Sequence, residues 1–415
     1  MSKLLAKNKN FKSFLLFASF FNIGRGIFTI FMLWVIHALY QNPVYTGVAG
    51  FMLAAPTIAS FIAGPFVDRW RKVILLRVVC LVQFGVVALI LGITLLTQAS
   101  PWFLLFAILV FSIMGVFGAA AVTALVPSIV SGEDLVKANV AMQMAGTIGG
   151  LVIGVVLYVL MARGAGFELV YGVNAGVLLV GLLFSARLGT GALQEAGRET
   201  GKAAFSTYFA ELKEGLSIIN KGVLLPLIIA LTIMGLFGNA AHVNLPLFAE
   251  VHIGTASGYI LLSALALVGG VIGSYIGGIV GPKLELSKIF MLCFIGAGVV
   301  RILFVYVIPD NFVRALLIFV LYAGLAGTIN IFFNTLVQKL PPQHAIGRIT
   351  TLNASLFGIA AAIGALVGGL AGELLPNVDT VFIIQGASYI VIGLCLYLSK
   401  RVRALPKISD IGVSI

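Results

Sequence analysis

The sequence has few charged residues for its length. Of its 415 residues only 10% are charged, whereas 60% are hydrophobic. Soluble globular domains carry about 25% charged residues, and a soluble fold of this size could not cover so much apolar surface with so few polar side chains. The mean hydropathy of +1.13 points the same way. The composition therefore predicts a chain whose solvent is the lipid bilayer.

Cysteine and histidine are also scarce, with three and four copies respectively. No two cysteines are close in sequence, which excludes a CxxC metal or redox motif and argues against a disulfide framework. The histidines lack metal-ligand spacing, and no P-loop with its Lys and Ser/Thr is present. We therefore predict no enzyme, no metal, no cofactor, and no ATP-driven transport by this chain alone.

Long apolar runs dominate what remains. A helix needs roughly 20 apolar residues to cross a bilayer, and the chain offers twelve such runs, which predict an all-α membrane protein with twelve transmembrane helices. The first run is too long to be the apolar core of a signal peptide. The predicted spans are approximately 13–39, 46–66, 73–96, 102–126, 136–161, 168–187, 222–249, 257–280, 287–307, 312–337, 346–372 and 379–399.

The basic residues are distributed unevenly between the loops. Arg163 and Arg314 fall on one side, Arg25 and Arg301 fall inside spans, and every other Lys and Arg falls on the side of the N-terminus. Cytoplasmic loops of membrane proteins carry this excess, so both termini are predicted to be cytoplasmic, in a cell (inner or plasma) membrane. The net charge of +12 is thereby explained by topology, and no nucleic-acid partner is expected.

One polar segment interrupts the sequence of spans. It divides the chain into an N-terminal six-helix bundle (1–187), a cytoplasmic linker (188–221), a C-terminal six-helix bundle (222–405) and a tail (406–415). Within the linker, apolar residues recur from Phe205 to Ile219 at the spacing of an amphipathic helix.

The two halves repeat weakly. Leu125-Val126 is followed by a polar loop and Lys137, and Leu336-Val337 is followed at the same offset by a polar loop and Arg348; a glycine-rich span comes after each basic residue. Two six-helix halves that repeat in parallel are the arrangement of major facilitator transporters. The alternative is that these are merely similar helix starts.

The loop after the second span carries a more specific pattern, running from Gly64 to Lys72. It resembles the major facilitator signature G-x-x-x-D-R-x-G-R-K/R, although the second glycine is missing and the loop is one residue shorter. The resemblance implies a conformational latch in which the aspartate accepts hydrogen bonds from a helix N-terminus and pairs with a base. The other interpretation is an ordinary cytoplasmic loop. The matching residues are Gly64, Asp68, Arg69, Arg71 and Lys72.

A narrower resemblance lies at the start of the fifth span. The run from Asp134 to Asn139 is similar to that of the branch with macrolide-efflux proteins and the enterobactin exporter, and lysophospholipid flippases carry a similar run. The drug-antiporter signature of the fifth span is only partly echoed, because its glycines are present and its proline is absent.

Polar groups inside spans are costly in lipid and usually face the bundle interior or a wet cavity. Arg25 lies near mid-membrane, too deep to snorkel easily. It would hold an anionic group of a substrate, couple to a moving carboxylate, or pair as a structural residue with helix carbonyls or Asn side chains. Arg301 lies nearer the outer end of its span, where it is expected to be structural and to snorkel towards the interface. The predicted substrate-binding residues are Asn22, Arg25, Thr29, Asn239, His242, Asn330 and Asn334.

None of the fourteen acidic residues falls at mid-membrane. A buried carboxylate is a common proton carrier in proton-driven transporters, so a proton would have to use His242 or an acid at a span edge such as Glu250. The energy source is left open by the sequence.

The residues and the resemblance together imply a secondary transporter that works by alternating access. The first hypothesis is an exporter of amphipathic small molecules or drugs, with proton antiport as its candidate coupling. A second is an exporter or flippase for an anionic substrate, a siderophore or lysophospholipid, that uses Arg25. A third is a non-transporting membrane receptor. The expected partners are a small-molecule substrate, protons and the lipid bilayer, and the chain is expected to be a monomer.

Overall fold

The computed structural model describes residues 9–58, 70–97, 99–130, 134–188, 223–280, 285–341, 343–403 and 405. The described residues are almost entirely helical. The helices are α1 (Lys9–Tyr40), α2 (Pro43–Ile58), α3 (Lys72–Leu96), α4 (Pro101–Ile129), α5 (Asp134–Ala162), α6 (Phe167–Ala186), α7 (Leu224–Val243), α8 (Leu245–Ile253), α9 (Ala256–Val280), α10 (Leu286–Val307), α11 (Phe312–Lys339), α12 (Gln343–Leu374), α13 (Asp379–Leu398) and α14 (Lys400–Arg403).

The prediction of an all-α polytopic membrane protein is confirmed. Among the described residues, eleven helices are long and apolar enough to cross a membrane, and α2 is a shorter apolar helix. The remainder of the second predicted span, the amphipathic segment 205–219 and the tail 406–415 lie outside the described residues.

The seventh predicted span, 222–249, is not one continuous helix. The helix ends at Val243, and α8 begins at Leu245 with Pro246 in its first turn. Proline has no backbone N–H and its ring collides with the carbonyl four residues earlier, so the helical hydrogen bonds cannot run through this point. Asn244 is the joint between the two helices.

The chain divides into two compact units. Unit 1 comprises residues 1–41 and 52–201, and unit 2 comprises residues 42–51 and 202–415. In unit 1, α1 packs against α6, α5 and α4, while α3 packs against α4 and α6. The centre of unit 1 is apolar and rich in phenylalanine: Phe11, Phe14, Phe17 and Phe21 from α1 are fully buried there.

Arg77 of α3 forms hydrogen bonds with the backbone carbonyls at the end of α6. Its Nε and Nη2 donate to the carbonyl of Ser185 at 3.2 and 3.1 Å, and Nη2 also donates to the carbonyls of Ala186 and Leu188 at 3.3 and 3.0 Å. The last carbonyls of a helix have no partner within the helix and carry partial negative charge. Arg77 therefore supplies these carbonyls with both donors and a compensating charge.

We expect Arg77→Ala to destabilise unit 1 by about 1–3 kcal/mol, since charge-assisted hydrogen bonds to orphan carbonyls are lost. Arg77→Lys should cost less, because it keeps the charge but not the planar fork. Thermal unfolding of the detergent-solubilised protein measures both. Arg163→Ala, which removes an exposed cation from the same unit, is the control. Equal unfolding temperatures for Arg77→Ala and the control would contradict this role.

In unit 2, α9 and α11 cross at glycines. A Cβ added at Gly273 would overlap the backbone carbonyl of Gly324. The hydroxyl of Thr328 donates to the carbonyl of Gly273 at 2.9 Å, and the hydroxyl of Ser274 donates to the carbonyl of Gly327 at 3.2 Å. Small residues allow such backbone-to-backbone approach between membrane helices, where interhelical hydrogen bonds also contribute. We call this contact the glycine crossing.

Helices α7 and α12 form a second close pair in unit 2. Cβ atoms added at Gly364 and Gly368 would overlap the carbonyls of Leu236 and Ala240. At the end of this pair the Asn244 amide donates to the carbonyls of Ala240 and Gly368, at 2.8 and 2.7 Å. Asn244 therefore joins the two helices where α7 ends.

The first turns of α2 belong to unit 2, where they lie on α12. A Cβ added at Gly47 would lie 2.7 Å from the Cα of Gly369 and 2.8 Å from the carbonyl oxygen of Ala365 on α12. One added at Gly50 would lie 3.0 Å from the Cβ of Ala365 and collide with Val243. Glycine is required at both positions for α2 to lie directly on α12.

Candidate functional site

The predicted polar residues of the first span lie along one side of α1. Asn22 is exposed, and Arg25 and Thr29 are half-buried, whereas Phe21 and Phe28 are fully covered. Residues three and seven apart share a face of a helix. Unit 1 therefore presents Asn22, Arg25 and Thr29 together on an accessible stripe of α1 with an aromatic backing.

The Arg25 guanidinium is accommodated by a glycine of α4. A Cβ added at Gly115 would lie 3.0 Å from Nε and 3.3 Å from Cζ of Arg25, closer than ordinary van der Waals contact, so the glycine gives the guanidinium room. The guanidinium carbon also lies 5.7 Å from the centre of the Phe21 ring, within the range of a cation–π contact. No carboxylate pairs with Arg25 among the residues that the structure describes. A partly exposed guanidinium that has no carboxylate partner is suited to bind an anionic ligand.

In unit 2 the predicted residues lie on two helices. Asn239 is half-buried and His242 is exposed on α7, and Asn330 and Asn334 are both exposed on α11. In the described part of the unit, no hydrogen bond joins the pair on α7 to the pair on α11. The structure therefore gives unit 2 two accessible polar stripes rather than one bonded cluster.

Two of these asparagines form hydrogen bonds with backbone carbonyls of their own helices. The Asn239 amide donates to the carbonyl of Gly235 at 2.8 Å, and the Asn330 amide donates to the carbonyl of Ala326 at 3.0 Å. Each keeps its side-chain carbonyl oxygen and its second N–H, so these residues can still offer a ligand an acceptor and a donor. The cationic donor among the predicted site residues is Arg25 of unit 1.

Most of the predicted latch falls outside the described residues. Gly64, Asp68 and Arg69 are among residues 59–69, which the structure does not describe. Arg71 is exposed and precedes α3, and Lys72 is half-buried as the first residue of α3. The latch thus stays a prediction from the motif.

The described acidic residues lie near helix ends or in the short helix α8. Glu250, a proton-coupling candidate, is exposed on α8. Asp379 begins α13 and pairs with His252 of α8 at 2.7 Å, while Glu285 pairs with Lys288 at 3.1 Å beside the start of α10. Among the described spans, the interior therefore holds cations and neutral polar groups rather than carboxylates.

The snorkelling predicted for Arg301 is wrong. Its side chain does not snorkel to the interface, because only 3% of the residue is exposed. Its Nε donates to Oε1 of Gln385 on α13 at 2.8 Å. None of the residues around Arg301 was predicted from the sequence, although Gln385 inside the last apolar run was a signal for a buried polar partner.

Comparison with known proteins agrees with this architecture. The sequence profile described as Major Facilitator Superfamily matches residues 14–365, so the chain belongs to the major facilitator superfamily. It is accordingly a multi-pass membrane transporter rather than an enzyme.

The more particular similarities are distant. Two relatives, the enterobactin exporters EntS of Salmonella typhi and of Salmonella typhimurium, are each 26% identical over 391 residues, which is 91% of this chain and 88% of theirs. Among solved structures, the nucleoside transporter NupG is 14% identical with a TM-score of 0.73, covering 94% of this chain and 100% of its own. A D-xylose-proton symporter is 12% identical with a TM-score of 0.69, covering 96% and 97%. These structures share the fold.

Proposed function

We propose that this transporter exports an anionic amphipathic small molecule and that Arg25 binds the anionic group. The observation that carries the proposal is the Arg25 environment: a guanidinium in a membrane helix, partly accessible, resting on Gly115 and Phe21 without a described carboxylate partner. A cation is retained at this depth where it has a functional partner, and here an anionic substrate supplies it.

The direction and the substrate class rest on the relatives. The curated relatives are named exporters of enterobactin, which favours export and favours a siderophore of this kind over a lysophospholipid. Membership of a transporter family leaves the receptor alternative without support. Transport would proceed by alternating access between the 1–187 and 222–405 bundles, with the Asp68 loop as latch, both termini in the cytoplasm, and a monomer as the working unit.

The test is transport by the purified protein in liposomes with an imposed pH gradient. We expect the wild type to move an anionic siderophore. Arg25→Ala should reduce this movement at least roughly tenfold, the equivalent of one charge-assisted hydrogen bond. Arg25→Lys, which keeps the charge, should retain part of it.

Two controls make this result specific. Arg163→Ala removes an exposed cation of unit 1 and should transport at the wild-type rate. A neutral macrolide, if moved at all, should be moved equally by wild type and Arg25→Ala. An equal loss for anionic and neutral compounds in Arg25→Ala would contradict the proposed role of Arg25.

The second candidate function is the export of neutral or cationic amphipathic drugs by proton antiport. It is favoured by the exposure of His242 on α7, since histidine exchanges protons near neutral pH, and Glu250 is the accompanying candidate. Movement of cationic dyes that depends on the pH gradient, lost in His242→Gln and unchanged in Arg25→Ala, would establish this function in place of the first.

A further inference from the structure

Arg301 lies in an aromatic enclosure inside unit 2. Its guanidinium carbon is 4.5 Å from the centre of the Phe382 ring and 4.6 Å from that of Tyr322, with Phe319 and Phe304 at 5.3 and 5.5 Å. The rings come from α10, α11 and α13, so three helices surround this cation. Ring faces attract a cation without neutralising it.

The hydrogen bonds of this enclosure are all to neutral groups. Arg301 Nε donates to Gln385, while Nη1 is buried and has no hydrogen-bond partner. The Gln385 amide donates in turn to the hydroxyl of Tyr322 at 2.8 Å and to that of Tyr389 at 3.4 Å. The Tyr389 hydroxyl donates to the carbonyl of Met234 on α7 at 3.4 Å.

The charge of Arg301 is therefore permanent and not cancelled locally. Arginine stays protonated in proteins, and no carboxylate pairs with it among the described residues. In the low dielectric of a helix bundle, an uncompensated charge acts over longer distances than it does in water. Burying an uncompensated charge lowers the stability of the fold. A functional role of Arg301 would therefore lie in the electric field that it exerts on its surroundings.

The field reaches an accessible face of α7. A Cβ added at Gly238 would lie 3.2 Å from the Tyr389 hydroxyl and 4.0 Å from the Gln385 amide nitrogen, so the network rests against α7 at this point. One turn further along α7 is His242, which is exposed. A ligand at His242 would therefore experience a positive potential that originates from Arg301.

We propose that Arg301 is a specificity-determining residue, which makes the His242 face of unit 2 selective for anions without contacting the ligand. The inference rests on the proposed function, because it presumes that the transported molecule is an anion. It assigns the discrimination against cations to unit 2, whereas direct binding of the anionic group stays with Arg25.

The experiment compares two probes that differ in charge. A sulfonated rhodamine and a cationic rhodamine ester share one ring system, and the ratio of their initial transport rates in liposomes measures charge selectivity. We expect the wild type to prefer the anionic dye and Arg301→Gln to lower the ratio at least roughly tenfold, which corresponds to about 1.4 kcal/mol. Arg301→Lys, which keeps the charge, should retain most of the preference.

Two further variants separate the effect of the Arg301 charge from the effect of the hydrogen bonds and packing around it. Gln385→Leu removes the hydrogen-bond partner but leaves the cation, so it should lower thermal stability and keep the dye ratio. Arg314→Gln removes the same charge from an exposed position of unit 2 and should leave the ratio unchanged. If Gln385→Leu changed the ratio as much as Arg301→Gln does, the role of Arg301 would be structural and the inference wrong.

The ratio also distinguishes this inference from the proposed function. A wild type that moves neither dye, or that prefers the cation, contradicts the proposed function and removes the basis of the inference. A wild type that prefers the anion, with Arg301→Gln slowing both dyes by the same factor, leaves the proposed function standing and overturns the inference alone.

Discussion

Substituting Gly273 by valine is expected to prevent unit 2 from reaching its folded state. A Cβ at this position would overlap the carbonyl of Gly324, which is backbone and cannot rotate away. Helices α9 and α11 would have to separate, which would also break the Thr328 and Ser274 hydrogen bonds across the glycine crossing. We expect a loss of more than about 3 kcal/mol, visible as the disappearance of the monodisperse peak in size-exclusion chromatography of the solubilised protein.

The same helix provides the matched control. Gly278 is exposed, and a Cβ added there meets no atom within 4 Å, so Gly278→Val makes the same chemical change where there is room for it. It should be extracted and eluted like the wild type. If Gly273→Val behaved as Gly278→Val does, the helices would not cross as closely as described.

Substituting Asn244 by aspartate should also be severe. The Asn244 amide nitrogen donates to two backbone carbonyls, at 2.7 and 2.8 Å, and its Oδ1 is buried without a hydrogen-bond partner. A carboxylate would place negative oxygen against two carbonyl oxygens with no donor nearby. The cost of such an uncompensated buried charge is about 3–5 kcal/mol, and thermal unfolding in detergent would measure it.

Two control variants separate the effect of the added charge from that of the lost hydrogen bonds. Asn244→Ala loses the hydrogen bonds without adding a charge, so it should lie between wild type and Asn244→Asp. Asn311→Asp makes the same exchange at an exposed N-cap, where the side chain accepts from the Arg314 amide and aspartate serves equally well. Were Asn244→Asp no less stable than Asn244→Ala, the amide would not be facing two carbonyls.

Hydropathy predicted the helices well because the bilayer imposes one requirement on every span, its length in apolar residues. The break at Asn244 was missed because the residues from 222 to 249 are predominantly apolar, although Pro246 marked it. Hydropathy measures only how apolar a segment is; proline changes the hydrogen bonding of the backbone.

The two arginines inside spans show where prediction from sequence ends. Arg25 lies on an accessible polar stripe with Asn22 and Thr29, and their spacing of three and seven residues in the sequence already places them on one face of a helix. Arg301 has no polar neighbour at helical spacing in its own span. Apart from Phe304 of its own helix, its enclosure is assembled from α11 and α13. Its burial therefore depends on packing between segments distant in sequence, which periodicity within one segment does not encode.

The glycine crossing also constrains how the protein is made. Helix α9 is complete before α10 has been synthesised, and its partner α11 emerges after α10. At roughly 5–20 residues per second of synthesis, α9 waits several seconds in the membrane with its glycines uncovered. The glycine crossing can therefore form only after α11 has followed α9 into the membrane.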